Sequence, residues 1–176
     1  LFGTVEVVPT GVQIELSEAR FINNTLTQLE VRTSLHMPGG VTMRLHIDGV
    51  HDCAGNAYVS NSSIEPQFGL PEPADSLDLV INEVLFNPRS TGVDFVEVYN
   101  TSNRFIDLQG MSLANMAEVP FDLHPIAGDH LLLPPHSFIA FTPEPLLVRN
   151  EYPESSLQNM WAMSLPSLPD DAGSIA

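Results

Sequence analysis

The sequence predicts an all-β fold of the β-sandwich class. Short segments that alternate apolar and polar residues recur along the chain; in the clearest, residues 41–47, the odd positions are apolar and the even ones polar. Fifteen prolines and eleven glycines interrupt these segments, which opposes long helices. Strands with one apolar face bury that face by packing one sheet on another, so a sandwich is the expected architecture.

The predicted strands follow one another at short intervals. In chain order they cover residues 4–8, 12–16, 26–32, 41–47, 79–86, 95–99, 130–133 and 137–141. A further strand is expected to start at Ile106. The one predicted helix is short, over residues 143–150, with Glu144 in its first turn and Arg149 in its last, where their charges complement the helix dipole.

A stretch rich in proline and acidic residues, 69–76, marks the predicted domain boundary. It carries no hydrophobic periodicity, as expected of a stiff, solvated linker. We therefore expect one domain over residues 1–70, a linker over 71–77 and a second domain over 78–176. The chain lacks an initial methionine and its last residues resemble the start of a strand. We expect a fragment of a longer protein, with both domains incomplete and adjacent domains of the same polypeptide as neighbours.

The charge balance is strongly acidic. The chain has 22 acidic residues, six arginines and no lysine, for a formal net charge of −16. Such a surface repels phosphate backbones and anionic lipid, so we expect no nucleic-acid partner. No apolar run approaches the ~18 residues of a transmembrane helix, so we expect no membrane insertion. Cys53 is the only cysteine, which excludes an intrachain disulfide and a cysteine-rich metal site.

Two glutamates inside neighbouring predicted strands are the first candidates for chemistry. If the strands form a hairpin with Phe86 opposite Asp94, counting back places Glu83 opposite Glu97. Strict alternation would place Glu83 on the same face as Ile81. Both faces of each strand are largely apolar, so the two carboxylates are expected to be half-buried near the edge of the sandwich.

Like charges directly opposite one another in a sheet are destabilising. Three arrangements relieve such a repulsion: a shared cation, a proton shared by the two groups, or separate hydrogen-bond partners. We expect the third, with each carboxylate accepting backbone N–H groups from a neighbouring loop, because buried carboxylates persist when they are satisfied. A calcium ion bridging Glu83 and Glu97 is the alternative. No motif supplies a nucleophile or a metal-bound water, so we assign no catalytic residue and expect no enzymatic activity and no required cofactor.

Two acidic turns are weaker candidates for cation ligands. Asp48, Asp52 and Asn56 are spaced four residues apart near a turn, without the ligand pattern of an EF-hand loop. Asp170 and Asp171 precede an Ala-Gly step. Turns stabilised by Asx side chains are the expected structure at both places, and a weak calcium site is the alternative.

Three histidines share one loop-rich region. His124, His130 and His136, with Asp122 or Asp129 nearby, form an alternative transition-metal site, although exposed loop histidines are the expected structure.

The only tryptophan lies in the irregular stretch 151–164. Trp161 and Tyr152 could stack on sugar rings there, but we expect Trp161 to fold back as an anchor beneath the loop.

The segment from Val80 to Asn115 resembles the bacterial form of the lamin tail domain, an immunoglobulin-like β-sandwich. The residues that carry the resemblance are Ile81-Asn82-Glu83, Asp94-Phe95-Val96-Glu97, Tyr99-Asn100, Ile106-Asp107-Leu108 and Gly110. Residues 131–135 and 168–175 fit the same family less specifically. The resemblance covers most of 78–176, without the final strands of the family.

The first half of the chain is similar to the end of a bacterial immunoglobulin-like domain, through the turn from Asp52 to Asn56. Together the two resemblances imply two immunoglobulin-like modules in tandem within an exported bacterial protein, located in the extracellular space or the cell envelope. They imply a structural, adhesive or scaffold role with a protein or carbohydrate partner. A calcium-stabilised recognition module, or an accessory domain of a secreted hydrolase or nuclease whose catalytic domain lies elsewhere, are the alternatives.

Overall fold

The computed structural model describes residues 2–8, 10–24, 28–49, 51, 54–56, 67–169 and 173–176. This part of the chain is mostly β, with fourteen strands and one α-helix, so the predicted all-β class is confirmed. The α-helix has seven residues, and no helix in the described ranges is long and apolar enough to cross a membrane. The chain divides into two compact units, Leu1–Leu70 and Pro71–Ala176.

The first unit contains one antiparallel sheet. Its strands are β1 (Phe2–Val8), β2 (Val12–Phe21), β3 (Leu29–Thr33), β4 (Thr42–Asp48) and β5 (Gln67–Phe68). They lie in the order β3-β2-β1-β4-β5. The buried residues Val5, Val7, Ile14 and Met43 form its core. Among the residues described for this unit there is no second sheet to complete a sandwich.

The second unit contains three smaller sheets. Its strands are β6 (Pro71–Glu72), β7 (Leu79–Leu85), β8 (Phe95–Asn100), β9 (Phe105–Asp107), β10 (Ser112–Met116), β11 (Pro120–Pro125), β12 (Leu132–Leu133), β13 (Phe138–Thr142) and β14 (Met160–Ala162). They form the sheets β10-β11, β12-β9-β6 and β14-β13-β8-β7. The helix α1 (Pro145–Glu151) and a 3-10 helix (Leu157–Asn159) connect β13 to β14.

The four-stranded sheet has one face in the core. Val96 and Val98 of β8 are buried together with Phe141 of β13. They belong to the same core cluster as Ile106 of β9 and Leu108, which directly follows β9. Because side chains alternate along a strand, Phe95, Glu97 and Tyr99 project from the opposite face. We call this face of the four-stranded sheet, opposite the core, the outer face.

The residues predicted as a linker belong to the second unit. Pro71 and Glu72 of β6 pair in parallel with β9, and the Arg104 guanidinium forms ion pairs with Asp75, at 2.9 Å, and with Asp78. The Asp75 hydrogen bond and the charge of Asp78 raise the pKa of Arg104 above its ordinary value. Residues 71–78 are therefore fastened to the strands that follow them.

Several elements differ from the sequence prediction. The strands β10 and β11 were not predicted; Pro120 and Pro125 bound β11, and proline is disfavoured within a sheet. The helix starts at Pro145, so Glu144 stands at its N-cap position outside the first turn. Proline at the first helical position loses no hydrogen bond, which explains the later start.

Candidate functional site

The β7–β8 pair has the predicted register at the two glutamates, and Glu83 lies opposite Glu97. The pairing shifts by one residue at a β-bulge between Ile81 and Glu83, where Asn82 is the extra residue. Ile81 pairs with Val98, whose side chain is in the core. The prediction that Ile81 shares a face with Glu83 is therefore wrong, because the bulge moves Ile81 to the inner face.

The two glutamates begin a row of side chains across the outer face. Glu97 pairs with Ala140 of β13, and Ala140 pairs with Met160 of β14. Glu83 is exposed, Glu97 is half-buried and Ala140 is only 8% exposed. The row therefore passes from an acidic edge to an apolar centre.

The two carboxylates have different hydrogen-bond environments. Asn82 Nδ2 donates a hydrogen bond to Glu97 Oε1 at 2.8 Å. The Glu83 carboxylate accepts no hydrogen bond from the described residues. The expectation that loop amides satisfy each carboxylate is therefore wrong: the bulge supplies a side-chain donor to Glu97, and Glu83 remains in solvent.

Part of the outer face is covered by α1 and the segment that follows it. Val148 of α1 is buried, and the Tyr152 ring packs edge-on against Phe95, with centroids 6.0 Å apart and an interplanar angle of 87°. The uncovered part forms a groove of about 480 Å³. Its lining combines the apolar residues Phe95, Ala140, Val148 and Met160 with the carboxylates of Glu83, Glu97 and Glu154.

One wall of this acidic groove is the loop after α1. The Arg149 guanidinium donates hydrogen bonds to the carbonyl oxygens of Pro153 and Ser155, which holds the loop against the helix. Glu151 accepts a hydrogen bond from Thr91 Oγ1 at 3.1 Å. The Arg149 guanidinium is therefore hydrogen-bonded within this loop, and the described lining of the groove contains no basic side chain.

The aromatic part of the groove was missed from the sequence. Phe138 lines it, and Tyr99 stacks on Phe138 with ring centroids 4.3 Å apart. The sequence pattern that indicates this part of the groove is Phe95-x-Glu97-x-Tyr99. Because side chains alternate along a strand, all three lie on one face, with an aromatic ring on each side of the carboxylate. Which part of that face α1 covers depends on tertiary packing, which this pattern does not specify.

Asn100 forms the densest hydrogen-bond network of the motif residues. Its side chain is fully buried, and Nδ2 donates to the carbonyl oxygens of Arg104, Leu133 and Pro134 at 2.7, 3.1 and 3.0 Å. Its Oδ1 accepts hydrogen bonds from the backbone N–H and the hydroxyl of Ser102 at 3.0 and 2.7 Å. The residue connects the end of β8 to the end of β12.

Asp107 has a similar connecting role at the end of β9. Its Oδ1 accepts backbone N–H groups from Gln109 at 3.0 Å and Leu131 at 3.1 Å, and Oδ2 contacts His130 Nδ1. The hydrogen bond with His130, followed by that from Gln109, lowers the pKa of the Asp107 carboxyl below its usual value. Gly110 then closes the turn at φ +78°, in the left-handed region that favours glycine.

The three histidines of the loop-rich region do not converge. His124 pairs with Asp122 at 3.2 Å, His130 pairs with Asp107, and His136 lies on a different turn. Among the described residues no three His, Cys, Asp or Glu side chains are grouped so as to hold a metal ion. The transition-metal alternative has no assembled ligand set there.

Two residues fasten the segment that follows α1. Trp161 Nε1 donates to the carbonyl oxygen of Ile126 at 2.8 Å, which holds the residue in place, but Trp161 is 37% exposed and is not buried beneath the loop as predicted. Asp122 Oδ2 accepts the backbone N–H of Ser167 at 2.8 Å. This hydrogen bond, with a second one from His124, lowers the pKa of the Asp122 carboxyl.

The remaining predicted site residues are Asp48, Asp52, Asn56, Asp94, Asp170 and Asp171. The Asp48 side chain and residues Asp52, Asp170 and Asp171 lie outside the described residues, and Asn56 is exposed. Asp94 is half-buried before β8, where its carbonyl oxygen accepts a hydrogen bond from Thr142 Oγ1 at 2.9 Å.

Searches of the chain against protein-family models, curated proteins and solved structures found no match. The resemblance to the lamin tail domain therefore rests on the motif residues of the chain itself.

Proposed function

We propose that the chain is a non-enzymatic structural and binding segment of an exported multidomain bacterial protein, with two immunoglobulin-like modules of which the second is a lamin-tail-like domain. One observation carries the proposal: the Asn100 amide is fully buried and makes five hydrogen bonds to neighbouring segments. A residue engaged in this way stabilises strand connections, and no atom of its amide remains for substrate chemistry.

The side chains of the acidic groove also favour recognition over reaction. Ser155 Oγ donates to the carbonyl oxygen of Tyr152 at 2.6 Å, and Ser156 Oγ accepts the backbone N–H of Gln158 at 3.3 Å. Ser155 donates its hydroxyl proton to the backbone, Ser156 serves as an acceptor for a backbone N–H, and neither hydroxyl has a general base in hydrogen-bond contact among the described residues. Exposed carboxylates beside aromatic rings are suited to binding a protein or a carbohydrate.

The location in the extracellular space or cell envelope is part of the same proposal. It is supported by the resemblance of residues 80–115 to bacterial lamin tail domains, which occur beside other domains of exported proteins. An acidic surface with a net charge of −16 keeps such a segment soluble through self-repulsion between molecules.

The proposal is tested by assaying the chain with generic phosphomonoester, phosphodiester, ester and glycoside substrates. We expect no turnover above buffer, and the same result for Glu83→Gln and Glu97→Gln. Turnover that is lost in Glu97→Gln, while circular dichroism shows an unchanged fold, would overturn the non-enzymatic proposal.

A calcium titration examines the cation-dependent alternative. We expect the melting temperature in millimolar calcium to equal that in chelator. A rise of several degrees with calcium, absent with magnesium and reduced in Glu83→Gln, would replace the structural proposal with a calcium-stabilised one through ligand linkage.

A further inference from the structure

We propose that the acidic groove binds an arginine side chain presented by a partner protein. The guanidinium group would lie between the carboxylates of Glu83 and Glu97 and against the exposed aromatic ring of Phe138. This inference rests on the proposed binding function and gives its partner a chemical class.

The charges of the acidic groove favour a cationic ligand. Residues directly opposite one another in an antiparallel pair have Cβ atoms about 5 Å apart, so the Glu83 and Glu97 carboxylates repel. Asn82 hydrogen-bonds only one of the four carboxylate oxygens, and the described lining contributes no positive charge. Glu154 adds a third carboxylate on the opposite wall. A cationic ligand removes this repulsion, whereas an anionic or neutral one does not.

The aromatic lining of the groove favours arginine among the cationic side chains. The side chains of Phe138 and Tyr152 are 39% and 44% exposed, a large apolar area for two rings in one groove. A planar guanidinium stacks on such rings and at the same time donates two parallel hydrogen bonds to a carboxylate. A lysine ammonium is more strongly hydrated and lacks the planar fork, so arginine fits this combination better.

The size of the groove suits a single long side chain. A groove of about 480 Å³ is large enough for one long side chain and part of its backbone. Because the groove is open, we expect a single anchoring side chain within a larger protein contact. The buried floor of Phe95, Ala140 and Val148 gives the aliphatic part of an arginine an apolar surface to cover.

The test uses a short peptide as a probe of the whole chain. The probe is N-acetyl-Gly-Gly-Arg-Gly-Gly-amide, titrated into ¹⁵N-labelled protein and followed by the chemical shifts of backbone amides. The control replaces arginine by citrulline, which has nearly the same shape without the charge. We expect saturable shifts at Glu83, Glu97 and Phe138 with the arginine peptide, none with citrulline, and at least about threefold weaker binding by the lysine peptide.

Variants locate the binding. The double variant Glu83→Gln, Glu97→Gln should bind the arginine peptide about tenfold more weakly, while Glu118→Gln, which removes one charge at an exposed loop, should bind as the parent does. Phe138→Leu should weaken binding about threefold through the lost stacking. An unchanged pattern of dispersed resonances shows that each variant is folded.

Three results would overturn the inference: no saturable shift, equal binding of the citrulline peptide, or equal loss in Glu118→Gln. These failures leave the proposed function intact if the assays still detect no turnover. Turnover abolished by Glu97→Gln would instead remove the proposed function, whatever the peptide does.

Discussion

Asn100 and Asp107 illustrate how single polar side chains stabilise the second unit. Each lies at the end of a strand, and each accepts or donates hydrogen bonds across more than twenty residues of sequence. Asn100 contacts the end of β12, and Asp107 contacts the segment just before it. Short strands gain little from their own ladders, so such side-chain hydrogen bonds help to set their relative positions.

Replacement of Asn100 by alanine should strongly destabilise the second unit. It removes both donors and the acceptor of a fully buried amide and leaves buried carbonyls such as that of Leu133 without a partner. We expect the free energy of unfolding to fall by about 2–4 kcal/mol, measured by urea denaturation. Asn150→Ala, at an exposed position of α1, is the control and should change it by less than about 0.5 kcal/mol. Equal effects of the two variants would contradict the role of Asn100.

Asp107 should make stability sensitive to acid. Its pKa is lowered in the folded chain from 3.8, so the unfolded chain takes up the proton first as the pH falls. The stability that Asp107 contributes is present above 3.8 and is lost as the pH falls through the folded-state pKa. We expect Asp107→Asn to reduce the slope of unfolding free energy against pH in this acidic range, with Asp129→Asn as the exposed control. Identical slopes in parent and Asp107→Asn would refute this.

Glu83→Gln should stabilise the chain slightly. The Glu83 carboxylate faces that of Glu97 across β7 and β8 and makes no hydrogen bond with the described residues. Removing its charge should raise the free energy of unfolding by about 0.3–1 kcal/mol at low ionic strength, and the gain should shrink in molar salt. Thermal melts at the two salt concentrations give the difference. A destabilised variant would show that Glu83 has a partner which this structure lacks.

At the scale of elements, the hairpin β7–β8 was predicted better than its surroundings. The apolar segments 79–86 and 95–99, each with a glutamate near its middle, predicted both strands and the pairing of Glu83 with Glu97. The bulge at Asn82 was missed because the prediction assumed that side chains alternate between the two faces without interruption, and the pairing with β8 shows the extra residue. The groove was missed for a related reason: it exists only because α1 covers part of the outer face.

Arg104 should control the stability of the segment before β7. The Thr101 backbone N–H donates to the carbonyl oxygen of Asp78 at 2.7 Å, and Arg104 forms ion pairs with Asp75 and Asp78. We expect Arg104→Gln to increase the hydrogen-exchange rate of the Thr101 amide by about tenfold, while Val98 in the sheet keeps its protection. Arg89→Gln, at an exposed arginine in another loop, should leave both amides unchanged. Equal rates in parent and Arg104→Gln would show that this segment is held by its backbone alone.

At the scale of the whole molecule, the two units have separate cores. Val5, Ile14 and Met43 belong to one, and Val96 and Phe141 to the other. The chain divides after Leu70, within the proline- and acid-rich stretch 69–76, and the sequence could not show that β6 and Asp75 lie with the later strands. Those contacts depend on β9 and Arg104, some thirty residues further along the chain.

The division predicts that residues 71–176 fold without the first unit. We expect their amide resonances in β8 and β13 to coincide with those of the whole chain. A chain that starts at residue 79 lacks β6 and the partners of Arg104, and it should be less stable by about 1–3 kcal/mol in urea. Loss of dispersed resonances in 71–176 would mean that the second core needs the first unit.

The bulge at Asn82 has one more consequence, because β7 is an edge strand of its sheet. The outer side of an edge strand carries backbone N–H and C=O groups that a strand of another molecule can pair with, which is how many β proteins aggregate. Around Asn82 these groups lose their regular spacing, and Glu83 places a negative charge beside them. We therefore expect Asn82, which also donates a hydrogen bond to Glu97, to oppose self-association along this edge.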